Sequence, residues 1–251
     1  ISLYDKEVKR LPDENSVLKE PVHIYIGKKG VYVLDYQVGV VRANFDENGW
    51  FESFTTLTGL GIENIGADEI AEFAVFTDSD NVYVLDRGEG VLLKSSNFGS
   101  GYGLSYGYIK EDSFSGANDV LADLSVYILT SGPEGLHRYI YSYTESKQVP
   151  ANLEILGIDG EFKNLSYGYT RGELNYDLYL FDSEDLRVFR FEKPIESGAD
   201  MRHPNQVLLK NQYVYRGSRE NIWRDVNDFV VDRGEKFLYM LDSSTVWKIR
   251  L

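Results

Sequence analysis

The sequence predicts an all-β protein in which one structural unit is repeated five times. Five copies of a short pattern occur along the chain, each with an apolar residue, a tyrosine, two apolar residues and an aspartate or threonine. The copies are Val31–Asp35, Val82–Asp86, Val126–Thr130, Leu178–Asp182 and Leu238–Asp242. Their tyrosines are 51, 44, 52 and 60 residues apart. A period of about 50 residues is typical of repeat architectures whose units stack on one another.

Each repeat is predicted to contain four strands, which we call a, b, c and d, and the pattern above is strand b. Strand b is apolar at successive positions, as expected for a strand buried on both faces. Strand c carries a basic residue after an apolar start, which indicates one packed face and one face in solvent. These basic residues are Arg42, Lys94, Arg138, Arg190 and Lys248.

The strands of the first four repeats follow in order along the sequence. The first repeat is predicted at Val22–Ile26, Val31–Asp35, Gly39–Asn44 and Trp50–Thr56, and the second at Glu72–Phe76, Val82–Asp86, Gly90–Ser95 and Leu104–Lys110. The third is predicted at Asp119–Leu124, Val126–Thr130, Leu136–Tyr143 and Asn152–Leu156, and the fourth at Asn164–Tyr169, Asp177–Asp182, Leu186–Phe191 and Gln206–Leu209. The long interval before the fifth repeat predicts a loop or short helix over Asn211–Asn227.

The two ends of the chain are predicted to complete one blade together. The fifth repeat has strands at Asp228–Val231, Phe237–Asp242 and Val246–Leu251, and then the sequence ends. The extended segment Ser2–Leu11 can pair beside Val246–Leu251 as the fourth strand, which would close the ring and remove its free edges. We therefore expect a single domain over residues 1–251, a five-bladed β-propeller, with six blades, one of them degenerate, as the alternative.

Composition excludes several classes of partner and site. The chain has 26 basic and 40 acidic residues and a net charge of −14, so it repels nucleic acid and anionic lipid. It contains no cysteine, which excludes disulfides, thiolate zinc sites and a cysteine nucleophile. No stretch approaches the roughly 18 apolar residues of a transmembrane helix. The absence of cysteine and the start at Ile1 favour a processed, extracytoplasmic protein, which we expect to be monomeric.

The first repeat resembles the blades of NHL-type propellers. A proline, Pro21, precedes strand a, the segment Lys29–Asp35 contains the pattern glycine, aliphatic, tyrosine, aliphatic, x, aspartate, and Arg42 follows in strand c. Asp80–Asp86 matches in part, and later repeats keep only the core of strand b. The resemblance implies a propeller used for recognition and carries over no catalytic residue. The chain departs from that family in its five longer repeats and in lacking the basic surface with which some members bind RNA.

The aspartates that end strand b are expected to be structural. Asp35, Asp86, Asp182 and Asp242 could form a ring of carboxylates, but aspartate at a turn commonly accepts hydrogen bonds from nearby backbone N–H groups. Thr130, which takes the same place in the third repeat, can do this without a charge. We therefore predict that each of these side chains stabilises its own b–c turn.

Three other acids are the candidates for chemistry. Glu72, Asp119 and Asp228 lie near the starts of strands a and could converge on the central channel, where acids of some five-bladed propellers hydrolyse glycosidic bonds. The alternative is that acids fall there by chance in an acidic chain, and we do not expect an enzyme. Binding of a calcium ion in the channel, as in lactonase-like propellers, is a further alternative.

No other metal site is predicted from the sequence. Asp78–Asn81 is rich in oxygen ligands but lacks the downstream glutamate of an EF-hand loop, so a polar hairpin tip is expected. His23, His137 and His203 have no paired spacing, which argues against zinc. We expect His23 and His137 to be structural.

Aromatic residues near loops and outer strands provide the predicted binding surface. Trp50, Tyr102 and Tyr106 are candidates, and the preferred patch joins aromatics to arginines, the residue types enriched at interface hot spots. This patch consists of Tyr213, Tyr215, Arg216, Trp223 and Arg224. The predicted function is non-catalytic recognition of a protein partner through loops on one face. The alternatives are carbohydrate binding at pockets between blades and a glycoside hydrolase or lactonase acting at the channel.

Overall fold

The repeated tyrosine pattern forms the second strand of five β-sheets, which are the five blades of a β-propeller. The computed structural model describes residues 17–27, 30–45, 51–58, 60, 65, 69–76, 79–99, 101–123, 125–133, 135–151, 153–156, 161–170, 177–192, 207–216, 226–231, 236–241 and 246–250. These residues form twenty strands and contain no helix that is long and apolar enough to cross a membrane.

The strands of blades 1 to 3 are consecutive in the chain and antiparallel. Blade 1 contains β1 (Pro21–Gly27), β2 (Gly30–Asp35), β3 (Gly39–Phe45) and β4 (Phe51–Thr56). Blade 2 contains β5 (Ile70–Phe76), β6 (Asn81–Asp86), β7 (Val91–Ser95) and β8 (Tyr106–Lys110). Blade 3 contains β9 (Ala117–Ala122), β10 (Val126–Thr130), β11 (Leu136–Ser142) and β12 (Lys147–Pro150). A short helical turn, Asp112–Gly116, joins blades 2 and 3.

The last two blades differ from this pattern in strand number. Blade 4 contains β14 (Leu165–Tyr169), β15 (Leu178–Asp182), β16 (Arg187–Glu192) and β17 (Val207–Arg216), and β13 (Leu153–Leu156) adds a fifth strand. Blade 5 has three strands in the described part of the chain, namely β18 (Asp228–Val231), β19 (Phe237–Leu241) and β20 (Val246–Arg250). Ser2–Leu11 lies outside the described residues, so closure of the ring by this segment stays a prediction.

The first strands of the blades are the inner strands of the propeller. β1 contacts β5, β5 contacts β9, β9 contacts β14, and β14 contacts β18. Each blade therefore meets its neighbour through the strand that we predicted as strand a. The side chains of these strands surround the central channel.

The core lies between the blades and is built mainly from the b strands. The tyrosine of each pattern pairs directly opposite the basic residue of strand c. Lys94 lies 5.5 Å from the ring centre of Tyr83, a distance typical of cation–π contacts. Arg138, however, is 95% buried and donates from Nε to Oγ of Ser125 at 3.0 Å. The prediction that the basic residue of strand c faces solvent is therefore wrong for blade 3, because the Arg138 guanidinium is hydrogen-bonded inside the protein.

The predicted fourth strand of blade 3 is also wrong. A tight turn follows β11, in which Ser142 Oγ accepts the N–H of Glu145 and Ser146 adopts a φ of 55°. The chain consequently returns at once, as β12, instead of at Asn152–Leu156. Leu153–Leu156 pairs in parallel with the start of β17, at the outer edge of blade 4.

The predicted insertion over Asn211–Asn227 is wrong in its first part. The backbone of residues 211–216 continues β17, and Tyr213 pairs with Arg190 while Arg216 pairs with Arg187. An alternation of aromatic and β-branched residues, here Tyr213-Val214-Tyr215, favours a strand over a loop or helix. Residues 217–225 lie outside the described part of the chain.

Candidate functional site

Five polar side chains occupy one register position on the five inner strands. Each pairs with the residue just before the aspartate or threonine that ends the neighbouring strand b. We call this set the channel ring, and it consists of His23, Glu72, Asp119, Tyr167 and Asp228. Because the inner strands contact one another, the ring lies at one level of the channel. That level is the end at which the b–c turns are found.

Irregularities in the inner strands set the direction of these side chains. In four blades the ladder between strands a and b shifts register immediately before the ring residue. Such bulges re-aim the side chain that follows. Each ring acid then accepts the N–H of the next residue, with distances of 2.9 Å for Glu72, 2.6 Å for Asp119 and 2.7 Å for Asp228. One carboxylate oxygen of every ring acid is thus held by its own strand.

The second oxygens of the three acids have different surroundings. Oε2 of Glu72 lies 2.7 Å from Nδ1 of His23, and this pair joins blades 1 and 2. Oδ2 of Asp119 accepts the N–H of Gly168 at 2.6 Å, which joins blades 3 and 4. In the part of the chain that the structure describes, Oδ2 of Asp228 has no hydrogen-bond partner. Asp228 is therefore the ring acid whose second oxygen has no hydrogen-bond partner among the described residues.

The charges of neighbouring ring carboxyls contribute to raised pKa values of Asp119 and Asp228. Burial and the charge of Glu72 raise the pKa of Asp228 to about 7, against the opposing effects of the Phe229 N–H and His23. Burial, followed by the charges of Glu72 and Asp228, raises the pKa of Asp119 well above its ordinary value, although two backbone N–H groups favour its ionised form. Negative charge is thus concentrated at the ring, and a proton is readily held there near neutral pH.

His23 supplies positive charge within the same ring. Burial alone lowers its pKa, but the hydrogen bond and the charge of Glu72, with the charge of Asp228, outweigh this and raise it overall. Arg87 acts in the opposite direction. His23 and Glu72 therefore form an ion pair at the channel below the raised pKa of the imidazole.

Two tyrosines contribute hydroxyl groups to the channel. Burial and then the charges of Asp228, Asp119 and Glu72 raise the pKa of Tyr167, so its hydroxyl keeps its proton. Tyr25 follows His23 by two residues on β1, and its ring lies 6.2 Å from that of Phe73. The hydroxyl oxygen of Tyr25 is buried and has no hydrogen-bond partner among the described residues. Burial and the neighbouring Tyr169 and Asp119 raise the pKa of Tyr25 as well.

The structure brings together the three acids that the sequence suggested, but it does not test their role in catalysis or binding. Glu72, Asp119 and Asp228 occupy equivalent positions and interact electrostatically. His23, which we expected to be structural, and Tyr167 belong to the same ring and were missed. The described residues contain no group of three or more His, Asp or Glu placed to hold a metal ion. A calcium ion in the channel stays a prediction.

The predicted turn role of the strand-b aspartates is confirmed where it can be seen. Asp35 accepts the N–H groups of Gln37 and Val38 in its own turn, and also those of Lys19 and Glu20 before β1. Asp86 and Asp182 accept backbone N–H groups from their own turns as well. Asp242 lies outside the described residues. These carboxylates are buried and occupied by backbone donors, so they stabilise turns.

The remaining polar candidates have structural surroundings. Asp80 lies in the hairpin turn between β5 and β6, but it is buried beside Tyr32 instead of forming an exposed tip. Its φ of 51° is the left-handed conformation that turns require. Oγ1 of Thr130 lies 3.2 Å from Nε2 of His137. His203 lies outside the described residues.

The predicted aromatic patch falls largely outside what the structure describes. The backbone of Tyr213, Tyr215 and Arg216 lies in β17, and Trp50, Trp223 and Arg224 are outside the described residues. The patch stays a prediction. Tyr102, a further candidate, has its hydroxyl buried near Tyr32.

Three exposed tyrosines and one half-buried tyrosine instead lie in the outer part of blades 2 and 3. We call this cluster the rim patch, and it consists of the exposed Tyr106, Tyr141 and Tyr143 and the half-buried Tyr108. The ring centres of Tyr106 and Tyr108 are 6.0 Å apart, and those of Tyr141 and Tyr143 are 5.2 Å apart. Tyr143 is 84% exposed, which is high for a large aromatic side chain.

Comparison with known proteins identifies the fold. No protein-family model and no curated protein sequence matches the chain. The chain is similar to the solved structure of an auxiliary nutrient-binding protein from Bacteroides ovatus, with a TM-score of 0.58 and 12% identity over 90% of this chain and 57% of that one. It is also similar to the periplasmic gluconolactonase of Pseudomonas aeruginosa, with a TM-score of 0.51 and 9% identity over 93% of this chain and 70% of that one.

A third similar structure is the β-propeller domain of Cps50 (Swd1) from Myceliophteria thermophila, with a TM-score of 0.50 and 8% identity over 91% of this chain and 83% of that domain. At such low identities these structures show the propeller fold alone. The chain also spans little more than half the length of the nutrient-binding protein. The predicted propeller is confirmed, and membership in the NHL-type family is not shown.

Proposed function

We propose that this propeller binds a small, hydroxyl-bearing molecule at the channel ring. The observation that carries the proposal is the placement of five polar side chains at one register position of five successive inner strands. Core positions of inner strands are ordinarily apolar, and a buried polar group without a partner is costly. A ring of acids, an imidazole and a phenol is therefore better explained by a ligand than by packing.

The ring offers donors and acceptors suited to hydroxyl groups. The Tyr167 hydroxyl can donate a hydrogen bond, and Oδ2 of Asp228 can accept one. Small-ligand sites typically combine a few convergent polar groups of this kind with an apolar wall. The names of two similar structures, an auxiliary nutrient-binding protein and a gluconolactonase, are consistent with a sugar or sugar lactone. An extracytoplasmic location belongs to the same proposal, and a signal sequence upstream of Ile1 in the full gene would support it.

Hydrolysis of the bound molecule is a second candidate, favoured by one observation. Asp228 has an oxygen without a partner in the described structure and a pKa raised to about 7. A carboxyl with a pKa near the working pH is suited to transferring protons in catalysis. A hydrolysis assay with gluconolactone at pH 7, in which the released acid is measured, tests this candidate. Loss of that activity in D228N is expected if Asp228 acts as the acid or base.

Binding itself is tested with two ring variants and a matched control. Isothermal titration with sugars, polyols and sugar lactones should give a Kd that rises at least about tenfold in E72Q, which loses the charge paired with His23, and in Y167F, which loses a hydroxyl group. Glu89 is an exposed acid that contacts Lys110 at 3.7 Å, outside the ring, and E89Q should bind like the parent protein. Equal affinity in all four proteins, or no binding by any member of the panel, would contradict the proposal.

Recognition of a protein partner, the function predicted first from the sequence, is favoured by the rim patch. Tyrosine provides rigid contact area at little entropic cost and is enriched in interface hot spots. The exposed Leu104 lies two residues before Tyr106, the first residue of β8. The double variant Y141S/Y143S should have the same melting temperature as the parent protein and should not bind any partner that uses this surface. An identified partner that binds this variant with full affinity would exclude the rim patch.

A further inference from the structure

Lys94 is a half-buried lysine that has no acidic partner among the described residues. It lies on β7, opposite Tyr83 of β6 and opposite Tyr106 of β8. Its ammonium nitrogen lies 4.4 Å from the ring centre of Tyr108 and 5.5 Å from that of Tyr83. Burial lowers the pKa of Lys94, and no carboxylate of the described residues offsets this effect. In a chain with 40 acidic residues, a lysine in such surroundings calls for an explanation.

The equivalent basic residues of blades 1, 3 and 4 each have a polar side chain as partner. These contacts are Arg42 to Asn44, Arg138 to Ser125 and Arg190 to Asp177. Lys248, in blade 5, is exposed and can be solvated by water. Within the described structure, Lys94 is therefore the member of this set that is partly withdrawn from solvent and lacks a polar side chain beside its charge.

A second polar group in the same place lacks a partner. Gln148 of β12 donates from Nε2 to the hydroxyl oxygen of Tyr108, and this hydrogen bond joins blades 2 and 3. The Oε1 atom of Gln148 is buried and has no hydrogen-bond partner among the described residues. The opposite orientation of the amide would leave its nitrogen without a partner instead. One atom of this amide therefore calls for a polar group from water or from a ligand.

Tyrosine rings connect these two groups into one surface. Tyr106 pairs with Lys94, and Tyr108 contacts both Lys94 and Gln148. Tyr141 pairs opposite Gln148 on β11, and its proximity contributes to the raised pKa of Tyr108. We call Lys94, Gln148 and the rim patch together the Lys94 surface. It presents exposed aromatic rings from two blades, one positive charge and one amide.

We propose that the Lys94 surface binds a sugar unit that carries a carboxylate, a uronic acid, and that this carboxylate pairs with Lys94. The carboxylate supplies the negative charge that the protein does not place beside the ammonium group. Sugar hydroxyls both donate and accept hydrogen bonds, so they suit either orientation of the Gln148 amide. The C–H face of a sugar ring packs against an aromatic ring such as that of Tyr106. This site is separate from the channel ring and does not depend on the function proposed there.

A charged sugar fits these groups better than two other ligands. A neutral sugar would cover Lys94 without supplying a charge, and withdrawing an unpaired ammonium group from water is costly. An acidic peptide supplies a carboxylate on a flexible side chain, which loses rotamer freedom on binding. A sugar acid is rigid and carries the carboxylate, the hydroxyls and an apolar face in one unit. The net charge of −14 opposes anions at long range, but physiological salt screens this effect beyond about 8 Å.

Two sugars that differ only at C6 test the role of the charge. Methyl glucuronide has a carboxylate where methyl glucoside has a hydroxymethyl group. Isothermal titration of the intact protein at pH 7 and about 50 mM salt should give a Kd for the glucuronide at least about tenfold lower than for the glucoside. Raising the salt to about 500 mM should weaken binding of the glucuronide and leave the glucoside unchanged.

Four variants, whose folding is checked by their melting temperatures, assign the effect to this surface. K94M keeps the apolar stem without the charge, so it should bind the two sugars alike, whereas K94R should keep the preference. K110M is the matched control, because Lys110 is an exposed lysine of β8 that contacts Glu89 at 3.7 Å. It should bind like the parent protein. Y106A should weaken binding of both sugars by about the same factor, since it removes aromatic contact and no charge.

The channel variant E72Q separates this inference from the proposed function, and it should keep the preference for the glucuronide. A preference that is lost in E72Q but kept in K94M would place the sugar at the channel and overturn the inference. Equal affinity of the parent protein for both sugars, or binding of neither, would also overturn it. Tighter binding of tetraglutamate than of the glucuronide would show that the surface is suited to an acidic protein segment, and the assignment to a sugar would be wrong.

Discussion

Replacing Asp228 with asparagine should stabilise the protein at pH 8 and stabilise it much less at pH 5. The folded protein raises the pKa of Asp228 from 3.8 to about 7, through burial and the charge of Glu72. Between these two values the folded state binds more protons than the unfolded state, so the free energy of unfolding falls as the pH rises. Raised pKa values of Asp119 and His23 act in the same direction.

The size of the effect follows from the two pKa values of Asp228. Moving from 3.8 to about 7 corresponds to about 4 kcal/mol of lost stability once the pH exceeds the folded value. Relaxation of the charged side chain toward the solvent of the channel reduces this figure, so we expect a gain of about 2 kcal/mol for D228N at pH 8. At pH 5 the unfolded carboxyl is already ionised while the folded one is protonated, so about 1.6 of the about 4 kcal/mol is already lost, and the gain of D228N should be less than half of its value at pH 8.

Urea unfolding followed by tryptophan fluorescence measures this difference, since the chain contains three tryptophans. The control is E89Q, which also removes one negative charge but from an exposed side chain that is 75% accessible. Its effect should be small and nearly the same at pH 5 and pH 8. Destabilisation of D228N by the same amount at both pH values would show that the carboxylate is engaged with a strong partner, and the reasoning would fail.

Three further substitutions test the packing of the blades by the same unfolding assay. R138A should destabilise by about 3 kcal/mol, because it removes a buried guanidinium that donates a hydrogen bond to Oγ of Ser125. G168A should cost about 1–3 kcal/mol, since a Cβ there would lie 2.6 Å from Cδ1 of Leu121, whereas G116A, with no atom within 4 Å, should be nearly neutral. D35N should cost about 2–3 kcal/mol, because an amide cannot accept all four backbone N–H groups.

If R138A lost less than about 1 kcal/mol, the guanidinium of the parent protein would contribute little to stability, and our reasoning about its burial would be wrong. Equal effects of G168A and G116A would contradict the close approach of blades 3 and 4. Retention of full stability in D35N would show that the turn does not depend on the carboxylate of Asp35, and the prediction would be wrong.

The order of strands could be predicted from the sequence because strand b is so distinctive. Val82–Asp86 is apolar on both faces and ends in a turn residue, and every other strand of its blade could be placed by counting from it. The errors arose where local turn chemistry decides. The turn held by Ser142 shortens the c–d connection of blade 3, and nothing in the apolar pattern indicates that Leu153–Leu156 pairs in parallel with the next blade.

The channel ring could be predicted only in part, since its members are at unequal distances from the strand-b pattern. Asp119 lies 11 residues before Thr130, whereas Tyr167 lies 15 residues before Asp182. Bulges and unequal a–b hairpins produce this variation, so equivalent positions do not align by simple counting. The acids were predicted from the sequence, but His23 was expected to be structural, and no role was predicted for Tyr167. Comparing all five inner strands at the register of strand b would have revealed them.

Two sets of buried acids in this protein differ in how their charge is satisfied, and this separates a structural role from a functional one. Asp35 accepts four backbone N–H groups from two segments and so contributes to the stability of its turn. Among the described residues, Asp228 accepts one backbone N–H, and it faces the charge of Glu72. An arrangement of the second kind costs stability at neutral pH, and an apolar residue could fill the position without that cost. Binding a ligand that supplies the missing positive charge or hydrogen-bond donor would offset this cost, which is why the ring is the place to look for function.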